Sequence, residues 1–426
     1  MATINKVYQK LINEDSNMKK SIFWYTAGNI CNTASSVLLL MYVTRILGQN
    51  EAGVFSIAWA IAQLMFTVGS FSNRAFQVSD SEDKYKFKDY LTLKFLTSFM
   101  AISGGVVYSI ALGNYGNELL VTFLLCSMFV GDIFADCFSG FFQKQEKLHI
   151  AGKSSVIRIC LYNLTFLLML LCFNSLEISI ISALIVSVFW VFVFDYQIAK
   201  RITEVKISFN IVISFSLLKD CFPLFLSSFL TIFLINIPKN AINNLFTNDT
   251  QAIYNILFMP SALTNMFCMF IFVPLFSLIT KKWHGKKLSE YLSLVGKILL
   301  MVVVVNICVL VGGYLLGVPL LYMFFGVDVS ELKMLMMLLL LAGGFTSINN
   351  ILNFTVAVMR QQKYIIIGYF VALVVSYLSV NSLIHDFALL GAALTYLLGI
   401  SIVTITLVII NLIFIYRRYQ QDKIYK

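Results

Sequence analysis

The chain has 426 residues, of which 59% are hydrophobic and only 12% are charged, and its mean hydropathy is +0.85. Soluble domains carry about 25% charged residues, so this composition excludes a water-soluble globular protein and predicts an integral membrane protein. The formal net charge of +10 does not indicate nucleic-acid binding, because the cations lie between hydrophobic runs rather than on one face.

The N-terminal residues 1–20 are polar and precede the first hydrophobic run, which predicts a cytoplasmic arm without a cleavable signal peptide. Apolar runs long enough to cross a membrane as helices then follow one another. We number them as spans 1 to 12: 22–44, 52–72, 91–112, 118–141, 155–173, 177–198, 217–237, 252–279, 295–316, 333–357, 364–381 and 387–415. The sequence therefore predicts an all-α membrane protein with about twelve transmembrane helices.

Basic residues are distributed unevenly between the two sides that these spans define. With a cytoplasmic N-terminus, the connections on the outer side contain only Arg45, Lys239 and Lys333. The connections on the inner side, together with both tails, hold nearly all the other lysines and arginines. This bias follows the positive-inside rule and would be lost if one span were miscounted. Both termini are therefore predicted to be cytoplasmic.

Similar phrases recur at matching places in the two halves of the chain. "RILGQNEAGVF" joins spans 1 and 2, and "KNAINNLFTNDTQAIY" joins spans 7 and 8. "FFQKQEKLHIAGKSSVIR" follows span 4, and "VMRQQKYIIIGYF" follows span 10. These repeated segments predict two parallel six-helix bundles, related by a pseudo-twofold axis along the membrane normal, with a cleft between them. The predicted parts are bundles 21–198 and 217–415, a cytoplasmic linker 199–216 and a cytoplasmic tail 416–426.

All five prolines lie in the second half, and four of them fall in spans 7 and 8: Pro223, Pro238, Pro260 and Pro274. Proline removes a backbone hydrogen bond and kinks a helix. These residues predict either static kinks that packing fills or a gate that bends when the two bundles rock to give alternating access.

Charged residues near the span ends are candidates for binding an anionic group. Arg45 and Lys239 close spans 1 and 7 near the outer face, whereas Arg74, Arg158 and Lys297 lie near the inner face. A charge in the bilayer is costly, so such a residue is expected to face a cavity or a partner. Two sets of cations at opposite depths suggest that an anion passes from one set to the other. Alternatively, Arg45 only snorkels to the outer head groups.

The acidic residues allow a second interpretation of the inner cations. Asp132 and Asp136 are four residues apart on span 4 and so share one helix face. Arg158 and Asp136 fall at similar depth, which predicts a structural ion pair, and Arg74 and Asp80 are predicted as a loop-anchoring pair. A role of Asp132 or Asp136 in proton or sodium coupling is the alternative.

Amide side chains within the spans could hydrogen-bond sugar hydroxyls. The candidates are Asn29, Asn32, Gln63 and Asn255, together with Asn349, Asn350 and Asn353 in span 10. Amides also join helices to each other inside membranes, so either role is open for each residue.

No catalytic or cofactor-binding pattern is present in the sequence. The eight cysteines form no CxxC pair, no Cys/His cluster has metal spacing, and the three histidines are scattered. There is no Gly-rich phosphate loop and no Ser/His/Asp arrangement. The sequence therefore predicts a protein that is not an enzyme and has neither a cofactor nor a metal site.

Four phrases resemble the Wzx-type polysaccharide repeat-unit flippases of the multidrug/oligosaccharidyl-lipid/polysaccharide (MOP) exporter superfamily. They are "TRILGQNEAGVFSIA", "RAFQVSDSEDKYKFKDYLTLK", "NIPKNAI" and "LLGAALTY". The resemblance implies a MATE-like fold in the bacterial cytoplasmic membrane. It also implies transfer of an undecaprenyl-diphosphate-linked oligosaccharide from the inner to the outer leaflet, for O-antigen, capsule or exopolysaccharide synthesis.

The resemblance also bears on partners and on two basic positions. It implies contact with membrane lipid and with polysaccharide polymerase or chain-length proteins, and no nucleic acid. Lys94 and Lys239 stand where arginine is expected in relatives. Lysine keeps the charge but loses the bidentate geometry with which arginine binds phosphate.

Two other functions remain as alternatives. A multidrug cation exporter of the same superfamily would require carboxylates in the cleft, and spans 1 and 2 contain none. A membrane polysaccharide polymerase or ligase would require a sizeable outer loop, whereas the outer connections here are short.

Overall fold

The computed structural model describes residues 18–424 except for 80–83, 206–209, 273–274, 286, 360 and 362, and in the N-terminal arm it describes residues 9 and 12. Its regular structure is helical, and none of the described residues forms a strand. The predicted all-α membrane class is therefore confirmed. The chain divides into two compact units, Met1–Phe229 and Leu230–Lys426.

The N-terminal unit is a bundle of helices that follow the predicted spans closely. Its helices are α1 Met18–Ile46, α2 Gln49–Ser70, α3 Asn73–Ser79, α4 Phe87–Ala111, α5 Asn117–Lys144, α6 Leu148–Phe173, α7 Leu176–Trp190 and α8 Gln197–Ile202. A π-helix, Val191–Tyr196, joins α7 to α8, so that span 6 is one continuous helical rod. Short α3 lies between spans 2 and 3, where the sequence predicts only a loop.

The boundary between the two units lies inside one long helix, α9 Ile211–Leu245. The C-terminal unit continues with α10 Asn248–Phe272, α11 Phe276–His284, α12 Leu288–Gly312, α13 Val318–Phe325, α14 Lys333–Val358, α15 Lys363–Phe387 and α16 Leu389–Ile424. The π-helix Gly313–Gly317 links α12 to α13, and the 3₁₀ turn Ser330–Leu332 precedes α14. Span 9 is therefore longer than predicted, because the helix begins well before Lys297.

Ten helices in the described part of the chain are long and apolar enough to cross a membrane. The two remaining predicted spans, 1 and 8, are occupied by α1 and α10, which are helical and of spanning length. Asn29, Asn32 and Ser35 lie on α1, and Gln251 and Asn255 lie on α10.

The predicted proline positions fall within helices without ending them. Helix α9 continues through Pro223 and Pro238, and α10 continues through Pro260. Pro274 lies outside the described residues. A gating role for these prolines therefore stays a prediction.

Helices α1 and α6 pack closely because small and polar residues lie between them. Gly28 approaches Ser155 and the carbonyl oxygen of Gly152. The Ser35 hydroxyl lies 3.0 Å from the Tyr162 hydroxyl and accepts a 2.8 Å hydrogen bond from the amide of Asn163. Small residues and interhelical hydrogen bonds are the usual basis of helix association in membranes, where no hydrophobic force distinguishes helix from lipid.

Replacing Gly152 by alanine is expected to destabilise this pair. A Cβ atom there would lie 2.3 Å from the carbonyl carbon of Trp24 and 2.6 Å from the backbone nitrogen of Tyr25. Both are main-chain atoms, so the helices must move apart, at a cost of about 1–3 kcal/mol. We expect a lower melting temperature of the detergent-solubilised protein. Gly296→Ala is the matched control, because nothing lies within 4 Å of its added Cβ; equal melting temperatures of the two variants would contradict the close approach.

Candidate functional site

A polar cavity of about 130 Å³ lies within the N-terminal unit, among α1, α2, α3, α5 and α6. It is large enough for several waters but smaller than the ~300–1,000 Å³ typical of sites that enclose a drug-sized ligand. Six of the predicted site residues line it: Asn29, Asn32, Arg74, Asp132, Asp136 and Arg158. The structure thus brings together residues that the sequence could only place at similar depths.

Arg158 is the most firmly held cation of this cavity. Its Nη1 donates to Asp132 Oδ1 at 2.6 Å and to the Ser187 hydroxyl at 3.1 Å, and only 5% of its side chain is exposed. The predicted pairing with Asp136 is therefore wrong. The hairpin between α5 and α6 places Arg158 about level with residue 134, midway between the two aspartates, so depth alone could not choose between them.

Arg74 pairs with the other aspartate of the cavity, Asp136. Its Nη1 lies 3.6 Å from Asp136 Oδ1, and its Nε and Nη2 donate to Gln143 Oε1 at 3.3 and 2.9 Å. The guanidinium also lies over the Tyr25 ring, 5.0 Å from the centroid. Asp80, the partner predicted for Arg74, lies outside the described residues.

The cavity is polar but its charges are balanced. Two arginines face two aspartates, one pair at 2.6 Å and the other at 3.6 Å. An anion entering the cavity must therefore compete with a carboxylate for each guanidinium. Arginine is suited to such an exchange, because its planar fork binds carboxylate and phosphate with the same geometry.

The contacts of Lys94 indicate a structural role at the end of α2. It is fully buried, and its ammonium donates to the carbonyl oxygens of Ser70 and Gly69 at 2.7 and 3.3 Å. These carbonyls end α2, where a positive charge offsets the negative end of the helix dipole. Thr97 adds a 2.8 Å hydrogen bond to the Gly69 carbonyl. Lys94 thus closes the C-terminus of α2.

The C-terminal unit contains a buried cation of a different kind. Lys239 on α9 is 8% exposed, its ammonium lies 4.3 Å from the centroid of the Phe258 ring, and it forms no ion pair with any described residue. A buried cation without a counter-ion is costly, and an aromatic face compensates only part of that cost.

Buried polar groups near this lysine were missed by the sequence reading. Both amide atoms of Gln251 and the Tyr254 hydroxyl are buried and have no hydrogen-bond partner within the described protein. The α9–α10 hairpin places Lys239 level with Tyr254, and Gln251, Tyr254 and Phe258 share one face of α10. That spacing was the signal available in the sequence. Asn255, the residue predicted instead, donates to the Gln251 carbonyl of its own helix at 2.9 Å.

Three other predicted residues are not among those that line the cavity. Arg45 at the end of α1, Gln63 on α2 and Lys297 on α12 are exposed.

The three asparagines of α14 join it to its neighbours. Asn350 donates to Asn265 Oδ1 of α10 at 2.8 Å, Asn353 donates to the Tyr369 hydroxyl of α15 at 3.0 Å, and Asn349 donates to the Ile400 carbonyl of α16 at 3.2 Å. For these residues the helix-joining alternative describes the observed contacts.

The whole fold is similar to that of MATE-type transporters. The chain matches the eukaryotic MATE transporter AtDTX14 with a TM-score of 0.66 at 12% identity, covering 96% of this chain and 100% of that structure. It matches an inward-facing multidrug resistance MATE family transporter of the MOP superfamily with a TM-score of 0.66 at 13% identity, covering 92% and 95%. These similarities define the fold of a MOP-superfamily transporter.

Sequence comparison specifies the family within that fold. The chain is 23% identical over 388 residues to the capsular polysaccharide biosynthesis protein CapF of Staphylococcus aureus, which covers 89% of this chain and 95% of that protein. The family model described as polysaccharide biosynthesis protein matches residues 18–283, more than half of the chain. The protein belongs to the polysaccharide biosynthesis protein family. The resemblance to MOP-superfamily polysaccharide flippases, drawn from the sequence, is confirmed.

Proposed function

We propose that the protein is a flippase that moves an undecaprenyl-diphosphate-linked oligosaccharide from the inner to the outer leaflet of the bacterial cytoplasmic membrane. Both termini would be cytoplasmic, and the two units would move by alternating access. The product would serve the synthesis of capsule, O-antigen or exopolysaccharide. The observation that carries the proposal is the cavity with Arg74 and Arg158 inside a bundle of the polysaccharide biosynthesis family.

The substrate poses a physical problem that this cavity addresses. A diphosphate is anionic and strongly hydrated, and a bare charge in the hydrocarbon core is costly. Arg158 and Arg74 can replace that hydration with charge-assisted hydrogen bonds, while Asn29 and Asn32 offer amides to sugar hydroxyls at the cavity wall. The cavity is too small for a whole repeat unit, so it would hold the head group's charged part.

The ion pairs give transport a way to be coupled to another ion. When a phosphate oxygen replaces Asp132 on Arg158, the released carboxylate needs a proton or a sodium ion. Asp136 has the same relation to Arg74. We therefore retain Asp132 and Asp136 as the candidates for ion coupling. Lys239, near the outer end of α9 in the predicted orientation, would receive the diphosphate as the last cation before release.

A cation exporter is the second candidate, and one observation favours it. Two carboxylates line the cavity, and a cationic substrate would require them. Both are already paired with arginines, and the family match is to polysaccharide biosynthesis. An enzymatic function has less support, since the matching fold is that of transporters.

Deleting the gene in its native host is expected to stop surface polysaccharide synthesis and to accumulate a lipid-linked repeat unit facing the cytoplasm. The reason is that the repeat unit is made on the inner leaflet and polymerised on the outer one. Extracted lipids analysed by mass spectrometry, and re-expression of the chain, provide the measurement and its control. Normal surface glycan in the deletion strain, or robust ethidium efflux by the purified protein in vesicles, would overturn the proposal.

A further inference from the structure

The first part of α9 is docked on the N-terminal unit although the rest of the helix belongs to the C-terminal unit. Residues 211–229 fall in the first unit, and residues 230–245 fall in the second. Any movement of the units relative to each other must therefore bend α9 or detach its first part. The contacts of that first part decide which is easier.

A small aromatic and apolar cluster forms the base of the docked segment. Leu217 and Cys221 are both fully buried, and they pack with Phe71, Tyr85, Tyr90, Leu93 and Cys137 of the N-terminal unit. The Phe225 ring stacks on Phe71 with centroids 4.1 Å apart and planes within 10°. Next to this stack, the Cys221 thiol donates to Asn73 Oδ1 at 3.3 Å.

Polar contacts form the rim of the same segment. The ammonium of Lys84 lies 2.6 Å from Asp220 Oδ2, and the Tyr85 hydroxyl donates to the same oxygen at 2.9 Å. Tyr85 also lies 2.9 Å from the Ser216 hydroxyl, and the hydroxyls of Ser72 and Ser228 are 3.4 Å apart.

These contacts are of a strength that can be released. The Lys84–Asp220 pair is partly exposed, with 58% and 28% of the two side chains accessible, and exposed ion pairs contribute little to stability. The turn that receives the segment has two successive residues with positive φ, Phe71 at 46° and Ser72 at 52°. Such a backbone is strained and persists only while its surroundings hold it.

The position of Pro223 supports a joint in this region. Proline lacks a backbone N–H, so the carbonyl of Lys219, one turn earlier and beside Asp220, loses its helical hydrogen bond. The docked segment of α9 therefore lacks one of its helical hydrogen bonds.

We propose that residues 211–229 of α9 form a releasable latch on the N-terminal unit, closed by Lys84, Tyr85 and Asp220 at the rim, which opens once in each transport cycle. The requirement for transport rests on the proposed function, whereas the opening of the latch does not. Opening exposes Cys221 and separates Ser72 from Ser228.

Reactivity of the native Cys221 tests the opening directly. The thiol is fully buried in the closed latch, so a small maleimide should modify it only through opening. We expect Asp220→Ala to raise the modification rate of the peptide containing Cys221 about fivefold to tenfold, because an ion pair and a hydrogen bond are lost. Cys268, buried in the C-terminal unit, is the internal control and should keep its rate. An unchanged rate for Cys221 would overturn the proposal.

A reversible cross-link tests whether opening is needed for transport. Ser72→Cys combined with Ser228→Cys should form a disulfide under mild oxidation, stop export of lipid-linked glycan, and regain export on reduction. Each single substitution is the matched control and should export under both conditions. Export at the wild-type rate by the cross-linked protein would overturn the requirement, and Cys221 modification at an equal rate with and without the cross-link would overturn the latch itself. Failure of the flippase function would appear separately, as no export by the wild type.

Discussion

Replacing Arg158 by alanine is expected to destabilise the protein and to abolish transport. The change leaves Asp132 in the cavity without its 2.6 Å partner, and breaking a buried pair from one side costs about 3–5 kcal/mol. Since Asp132 is 13% exposed to the cavity, we expect the lower end of that range. The measurement is the melting temperature of the detergent-solubilised protein, with surface glycan of the complemented strain as the functional readout.

Two double variants separate the structural from the transport role of Arg158. Arg158→Ala with Asp132→Ala should recover most of the stability, because no unpaired charge remains. Arg158→Ala with Asp136→Ala should not, because Asp136 contacts Arg74 instead. If Arg158 binds the diphosphate, both double variants should stay inactive. Restored glycan in the Asp132 double variant would show that Arg158 serves only as the partner of that aspartate.

Replacing Lys239 by methionine is expected to stabilise the protein, unlike the Arg158 change, and to reduce transport, as the Arg158 change does. Lys239 is buried and pairs with no carboxylate among the residues that the structure describes, so an apolar side chain of similar length removes a desolvated charge. We expect the free energy of unfolding to rise by about 1 kcal/mol or more. Surface glycan should nevertheless fall at least about tenfold, the effect of losing 1.4 kcal/mol of transition-state binding.

Two control variants test whether the charge of residue 239 and its position in the protein matter. Lys239→Arg keeps a cation and should retain transport, whereas Lys297→Met removes an exposed cation of the same unit and should change neither quantity. A loss of stability in Lys239→Met would mean that the lysine holds the fold together. Normal glycan in the same variant would remove Lys239 from the substrate path.

Only part of the candidate site could be anticipated from the sequence. Asn29, Asn32, Arg74, Arg158 and the two aspartates were singled out because charges and amides are rare in apolar runs, and they line one cavity. Their partners were not predictable. Gln143 and Ser187 are ordinary residues in sequence, and they become ligands of Arg74 and Arg158 only because α3, α5, α6 and α7 meet at one place.

The misassigned ion pair shows the physical limit of the sequence. Hydropathy locates the ends of a span only to within about one helical turn. One turn is about 5.4 Å, against a hydrocarbon core about 30 Å thick. Asp132 and Asp136 are one turn apart, so depth could not choose between them. Rotation of each helix about its axis, which depends on packing, made the choice.

The sequence by itself determined the membrane class, the helical content and the position of the helices along the chain, because each follows from the local run of apolar side chains. It also determined the superfamily through phrases at the helix ends. The tertiary structure alone decided that Lys94 caps α2, that Lys239 is buried with its ammonium over the Phe258 ring, and that the first part of α9 docks on the N-terminal unit. These features depend on contacts between residues far apart in sequence, which no local pattern records.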